Sequence, residues 1–456
     1  MTGRTDSKRS IDMLNGPLWN KILLFALPLA ATSMLQQQFN ATDVAVVGQF
    51  VGKHAMAAVG SNAPLISLTI NLFVGISIGS NVVIAKFTGQ KRYDSVSDAV
   101  HTSIMIAVLG GLMLTVLGEI FTAPALHILS VPEEIFDLSK LYLRIYFIGM
   151  PFILLYNFQS AIFRSQGDTR TPLLCLVTGG ITNVGLNLFF VIVLGMKVEG
   201  VAIATITANI ISSGMLFWFL THHSGIIRVE AKKIRIHAYV FKTIASIGIP
   251  SGIQGMVFSS SNIVLQSAVN SLGPDVMAGT SSSFNIDIMV FFLLNAFGQA
   301  CVSFTSQNYG AQNYDRCRRV FKVSFGLQIL FTVAVSMLIL LFSRPLLSIF
   351  NNDPAVLEVG TIRITYIMTT EVLNAAIEMF SSALRGLGHS MKPAIISMVG
   401  ICGVRISWVY TVFAGNRTIN CLMLAYPISW AVTTAVLCIV YFVTIKKVLP
   451  KSRTDD

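Results

Sequence analysis

The chain has 456 residues, of which 54% are hydrophobic and only 12% charged, and its mean hydropathy is +0.70. That balance excludes a soluble globular protein, in which about a quarter of residues carry charge. A net charge of +11 invites a nucleic-acid reading, but the basic residues are scattered over short connections between apolar stretches, which argues against one.

Crossing a hydrocarbon core of about 30 Å takes about 20 mostly apolar helical residues, and such windows recur from Leu18 almost to the C-terminus. Spans are predicted near 18–50, 55–85, 100–123, 140–163, 172–195 and 200–221, and a second six near 244–271, 276–307, 320–342, 361–384, 393–414 and 421–444. The fold class expected is an all-α integral membrane protein of about twelve transmembrane helices. The polar opening, MTGRTDSKRSIDMLNGP, and the length of the apolar segment behind it read against a cleavable signal peptide, so the first span is expected to be retained.

An even number of spans puts both termini on one side. The loops richer in Lys and Arg mark the cytoplasm. One alternate set carries Arg4, Lys8 and Arg9, then Lys86, Lys91 and Arg92, then Arg228, Lys232, Lys233, Arg235 and Lys242. It continues with Arg316, Arg318, Arg319 and Lys322, and ends with Lys446, Lys447, Lys451 and Arg453. The other set holds little beyond Lys53, Lys140, Lys197, Arg344 and Arg417. Both termini are therefore expected inside, in a multi-pass cell-membrane protein whose short loops suit a bacterial inner membrane. The six cysteines lie singly, with no CxxC pair, and read as small core residues.

The two halves repeat at a nearly fixed offset. FRSQGDTRTP at 163–172 matches LRGLGHSMKP at 384–393 (385 − 164 = 221 for Arg164 and Arg385), and GQKRYD at 89–94 matches GAQNYD at 310–315 (310 − 89 = 221). VGKHAMAA at 51–58 likewise faces LGPDVMAG at 272–279, with Gly52 opposite Gly273. Repeats of six spans keep the same orientation, so two six-helix bundles related by a pseudo-two-fold along the membrane normal are expected. The polar run from 222 to 243 reads as a cytoplasmic linker between an N-terminal lobe, 1–221, and a C-terminal lobe, 244–456. Transporters built this way place their sites in or between the bundles.

Ionisable groups at membrane depth cost about 2.5 to 3.5 kcal/mol on insertion scales, so each is a functional candidate. Asp43 follows a polar stretch with Gln36, Gln37, Gln38 and Asn40, beyond a helix-kinking Pro28. It could take a proton or small cation, or lie solvated near a helix end. In the second half Asp287, Glu371 and Glu378 stand in apolar surroundings. Glu371 and Glu378 are seven residues apart, on one helix face. They would draw a cationic compound into a cavity, or pair with Arg405 as a structural bridge. The intramembrane charge reads as mostly acidic. Met256 and Met289 suit an adaptable cavity wall, although most such residues face lipid or other helices. No HExxH, Walker GxxxxGK[ST] or GxSxG motif occurs, so an ATP-driven pump or membrane hydrolase lacks its parts and no enzyme is expected.

Pro28 with the TDVAVVGQFVGKHAMAAVG run, the GQKRYD and GAQNYD loops, and the FRSQGDTRTP and ALRGLGHSMKP loops carry a resemblance to the multidrug and toxic compound extrusion (MATE) family over essentially the whole chain. The resemblance implies a V-shaped pair of six-helix bundles. It also implies export of amphipathic, often cationic organic compounds in exchange for H+ or Na+ by alternating access, with no organic cofactor and a monomer embedded in membrane lipids. The family's N-lobe cation site falls on Asp43, Asn183, Asn187 and Thr205. Asn183 and Asn187 are one turn apart on one face, so they could ligate an ion such as Na+ with oxygen, hold a carboxyl, or form a packing ladder. Asn187 stands where many members have Asp, which favours H+ over Na+. The second, C-lobe cation site of some members lacks its acids here, with Asn374 at the Asp position. The rival reading is a flippase of lipid-linked precursors, a related fold that would want a strongly basic cavity.

Overall fold

The computed structural model describes residues 10–129 and 131–450; Arg4, Lys8, Arg9, Lys451 and Arg453 lie outside the described residues. Within them the chain is helical, without a strand. Twelve spans follow one another. Span 1 is Leu18–Phe50, span 2 Lys53–Gly89 and span 3 Tyr93–Ile128. Span 4 is a pair of helices, Glu133–Ile148 and Met150–Ser165, bent by 48°. Span 5 is Arg170–Val193 and span 6 Val198–Thr221. Span 7 is Ala238–Asn270, span 8 Pro274–Gly310, span 9 Tyr314–Leu341 and span 10 Pro354–Gly386. Span 11 is Met391–Phe413 and span 12 Ile419–Val448. Ten of these, counting span 4 as one, are long and apolar enough to cross a membrane by length and composition. The other two, spans 7 and 10, are 33 residues each and more polar.

Hydropathy located every span but understated most lengths. It marks the apolar middle, whereas the helices run on through polar turns: span 10 begins at Pro354, where the Asp353 side chain accepts from Ala355 N at 2.9 Å and caps the helix. Span 4, predicted as one helix, breaks at Gly149 ahead of Pro151, because a proline has no N–H to continue the ladder.

The internal repeat recurs in the backbone. Gly52 and Gly273, just before spans 2 and 8, have φ of 118° and 106°, and Gly167 and Gly388, after spans 4 and 10, have φ of 83° and 87°. Both pairs are 221 apart (273 − 52, 388 − 167), and glycine is the residue that adopts this left-handed region without strain.

The chain forms two compact units. One takes the residues up to Asp12 and Ala31–Gly252; the other takes Met13–Ala30 and everything from Ile253 on. In the first, spans 2 and 7 touch backbone to backbone through paired small-residue stripes. A Cβ on Gly75 would fall 2.1 Å from Gly252 N, and one on Gly79 would fall 2.5 Å from Ile244 O. Four-residue glycine spacing on both helices permits this approach. The polar connection after span 6 packs on span 3 in the same unit: Glu230 N donates to His101 Nε2 at 2.9 Å and His237 N to Thr102 Oγ1 at 3.1 Å. In the second unit, Phe25 meets Phe304 edge-on at 5.6 Å, and Asn308 donates to Met13 O at 3.0 Å.

Candidate coupling site

Asp43 is 4% exposed and sits 7 residues before the end of span 1 (50 − 43). Asn187 sits 6 residues before the end of span 5 (193 − 187), and Thr205 is 7 residues into span 6 (205 − 198). At 1.5 Å per residue all three lie about 10 Å from the helix ends, so they meet at one depth. What brings span 1 against span 5 is Gly180: a Cβ there would fall 1.9 Å from the Phe39 ring. Phe39 and Asp43 are one turn apart on span 1, and Gly180, Asn183 and Asn187 share a face of span 5. The ring seated on the glycine therefore delivers the carboxylate to the amides.

The four residues expected at a cation site are joined by hydrogen bonds. Asn187 Nδ2 donates to Asp43 Oδ1 at 2.5 Å and to Asn183 Oδ1 at 3.3 Å. Thr205 Oγ1 lies 2.9 Å from Asp43 Oδ2 and 3.0 Å from Val201 O, two acceptors for its one proton. Asn183 Nδ2 donates to Thr205 Oγ1 at 3.3 Å. Asn187 Oδ1 is buried and accepts no hydrogen bond from the described residues. Directly beyond Asn187 the helix passes into a π-helical turn, Phe189–Val193, a distortion common beside functional residues.

Hydrophobic side chains close the site off, among them Val46, Val47, Val191, Val198 and Val201. Tyr142 and Tyr146 of span 4, stacked at 6.0 Å, lie within electrostatic reach of Asp43. Sequence reading passed over both tyrosines, since nothing in their spacing relates them to a residue about a hundred positions earlier. Among the described residues no group of three or more His, Cys, Asp or Glu could hold a metal ion. The donor set is one carboxylate with amide and hydroxyl groups, which can exchange a proton or a weakly held hard cation.

The acids of the second unit have found other partners than the one expected. Asp287 is bridged to Arg363 at 2.9 Å. Glu378 accepts from Ser382 at 2.9 Å and is bridged to Arg385 at 3.4 Å. Glu371, buried, accepts from Asn374 at 2.8 Å. The structural bridge to Arg405 is corrected accordingly: Arg405 points its Nε at Ser429 Oγ, 3.2 Å away. Arg363 and Arg385 are buried in this unit alongside Arg405, Arg385 in the last turn of span 10. Arg363 falls at the edge of the span expected at 361–384 and Arg385 just beyond it, so the sequence marks neither as a charge at membrane depth. Gln36, Met256 and Met289 are half-buried and Asn40 is exposed.

One family profile, MatE, matches the chain twice, over residues 28–189 and 250–411. The chain belongs to the MatE family. The two matches begin 222 residues apart (250 − 28), so the family unit is the half-chain repeat itself. This MatE protein is 27% identical over 426 residues to the probable multidrug resistance protein YoeA of Bacillus subtilis, covering 91% of the chain and 92% of the relative. It is 27% identical over 395 residues to the probable multidrug resistance protein NorM of Thermotoga maritima, covering 85% and 84%. With a FAD transporter of Shewanella oneidensis it shares 21% identity over 390 residues, covering 85% and 86%. Its fold matches the outward-facing conformation of a multidrug resistance MATE family transporter of the MOP superfamily with a TM-score of 0.89, at 20% identity and covering 96% and 98%. A MATE in the straight conformation gives 0.86, at 21% identity and covering 96% and 98%. The all-helical, twelve-span, two-bundle layout and the multi-pass membrane character stand on these grounds.

Proposed function

We propose that this protein is a secondary active efflux antiporter that exports amphipathic, often cationic organic compounds in exchange for H+ or Na+, with both termini in the cytoplasm. The observation that carries the proposal is the buried Asp43 held by donors from spans 5 and 6. A carboxylate taken out of water is stable only while it is hydrogen-bonded or neutralised. Binding of an ion at Asp43 changes which of those bonds the site needs, and so changes how spans 1, 5 and 6 pack. Alternating access follows if the two packings open to opposite sides. One charge crossing 100 mV supplies about 2.3 kcal/mol, enough for about fifty-fold accumulation.

With Asn187 in place of a second acid the site holds a single carboxylate, Asp43, which favours H+ as the coupling ion. The multidrug names of the relatives support the substrate class. We assign substrate contacts to Gln36, Asn40, Met256, Asp287, Met289, Glu371 and Glu378. Asp287 and Glu378 would first have to release an arginine to receive a cation. Three buried arginines set against three acids do not make the strongly basic surroundings that a lipid-linked precursor would want.

The test is ethidium efflux from proteoliposomes, wild type against Asp43→Asn, with pH and Na+ gradients imposed separately. Gradient-driven efflux that the substitution abolishes is expected, and the effective gradient names the ion. Efflux equal in the variant, or none in the wild type under either gradient, would reject the assignment.

A further inference from the structure

Span 11 is not a regular helix. It is α-helical over Met391–Ser397 and Val404–Trp408, and π-helical over Met398–Gly403 and Val409–Phe413. Arg405 therefore stands on one α turn between two distortions of a kind that clusters at functional sites. The residue is 1% exposed. Its guanidinium carbon lies 4.3 Å from the ring centre of Tyr426, 5.6 Å from that of Phe258 and 5.8 Å from that of Trp430. Nη1 and Nη2 are buried and hydrogen-bond no atom of the described residues.

Aromatic faces stabilise the charge but accept none of its N–H bonds. The other two buried arginines of this unit each hold a carboxylate, while Arg405 forms no salt bridge among the described residues. A buried guanidinium with two orphaned nitrogens is costly unless something accepts from it.

The repeat offset gives the place its meaning. Tyr426 is the counterpart of Thr205 (426 − 205 = 221), and Val404–Trp408 is the counterpart of Asn183–Asn187 (404 − 183, 408 − 187). Where the first unit sets an acid among hydrogen-bond donors, the second sets a base among aromatic rings.

We propose that the Arg405 cage is an anion subsite that takes the carboxylate of an aromatic amphipathic compound. The guanidinium presents a planar fork that matches a carboxylate in two parallel bonds, and Tyr426, Trp430 and Phe258 supply the apolar and stacking surface for the rest of such a molecule. A cation is repelled here. A heavily hydrated dianion finds little beyond Ser429 to replace its water. Glu371 of span 10 acts on Arg405 electrostatically and competes with an incoming anion.

The inference goes beyond the export reading and is tested without a gradient, so either can fail alone. Full-length protein in lipid nanodiscs is titrated at equilibrium with radiolabelled benzoate in chloride-free buffer, with benzamide as the neutral analogue, and with chloride as competitor. Saturable benzoate binding with Kd of about 1 mM or tighter is expected, with none for benzamide. Arg405→Met should weaken it by about tenfold or more, Arg405→Lys less, and Glu371→Gln should strengthen it. Thermal unfolding shows whether each variant is folded; should Arg405→Met fail to fold, Glu371→Gln and Tyr426→Leu decide, the second by weakening binding. Displacement by chloride would extend the site to small inorganic anions of the same charge. No saturable binding of benzoate to the wild type, benzamide binding as well as benzoate, or affinity unchanged across folded variants would overturn the proposal.

Discussion

The Phe39 ring occupies the space that a side chain at position 180 would need, with 1.9 Å between the ring and a Cβ placed on Gly180. That contact sets the distance between spans 1 and 5, and with it the distance from Asp43 to its amides. Gly180→Ala is expected to force the ring aside at a cost of about 1 to 3 kcal/mol, and to cut gradient-driven efflux together with thermal stability. Gly185→Ala, five residues on with nothing within 4 Å of its Cβ, should leave both near wild type. Dye efflux and thermal unfolding of the two variants check this pair; equal behaviour would dismiss the packing argument.

Asn187 touches the Asp43 carboxylate directly, whereas Asn183 reaches it through Asn187 and Thr205. A hydrogen bond to a charged group contributes about 1.5 to 3 kcal/mol. Asn187→Ala should therefore shift the ion concentration for half-maximal efflux by about tenfold or more, and Asn183→Ala by clearly less. Efflux measured against the coupling-ion concentration tests the ranking.

The Asp287–Arg363 bridge is buried, and Arg363 also donates to Ser283 Oγ at 3.2 Å and Thr280 O at 3.3 Å. Removing only the arginine, in Arg363→Met, strands a carboxylate and should cost about 3 to 5 kcal/mol. The double variant Asp287→Leu with Arg363→Met removes both charges and should recover much of that loss. Thermal unfolding of the single and double variants in one detergent decides, and a double variant less stable than the single would count against the bridge.

Spans 2 and 7 meet where Gly248 stands 2.5 Å from the Ile76 Cα in terms of an added Cβ. Gly248→Val has no flexible side chain to push aside, only backbone, so the folded yield should fall sharply. Gly214→Val, with open space around it, is the matched control, and size-exclusion profiles of the two report the difference.

How far the sequence reaches differs from residue to residue. Span 1 was legible from Leu18 to Phe50 because an apolar run declares itself, and Gly52, Gly167, Gly273 and Gly388 were legible as a repeat because turns recur at a fixed offset. Asp43 stood out as a carboxylate in an apolar helix. Its amide and hydroxyl partners came from the family resemblance, whose motifs lie in the loops around them. Tyr142 and Tyr146 did not stand out, since a tyrosine in a membrane helix is ordinary until the facing helix is known.

Composition and periodicity determined by themselves that this chain is a multi-span membrane protein in two repeats, because transfer into hydrocarbon acts on each segment almost independently of the rest; spans 7 and 10 are too polar to declare themselves by that measure alone. Pairing was decided by tertiary structure alone. Arg385 rather than Arg405 meets Glu378, Arg363 meets Asp287, and Arg405 is left among Tyr426, Trp430 and Phe258. Helical spacing fixes which face a side chain leaves from, but the π turns on either side of Arg405 and the close approach at Gly180 fix what that face meets. Those depend on the packing of helices far apart in sequence.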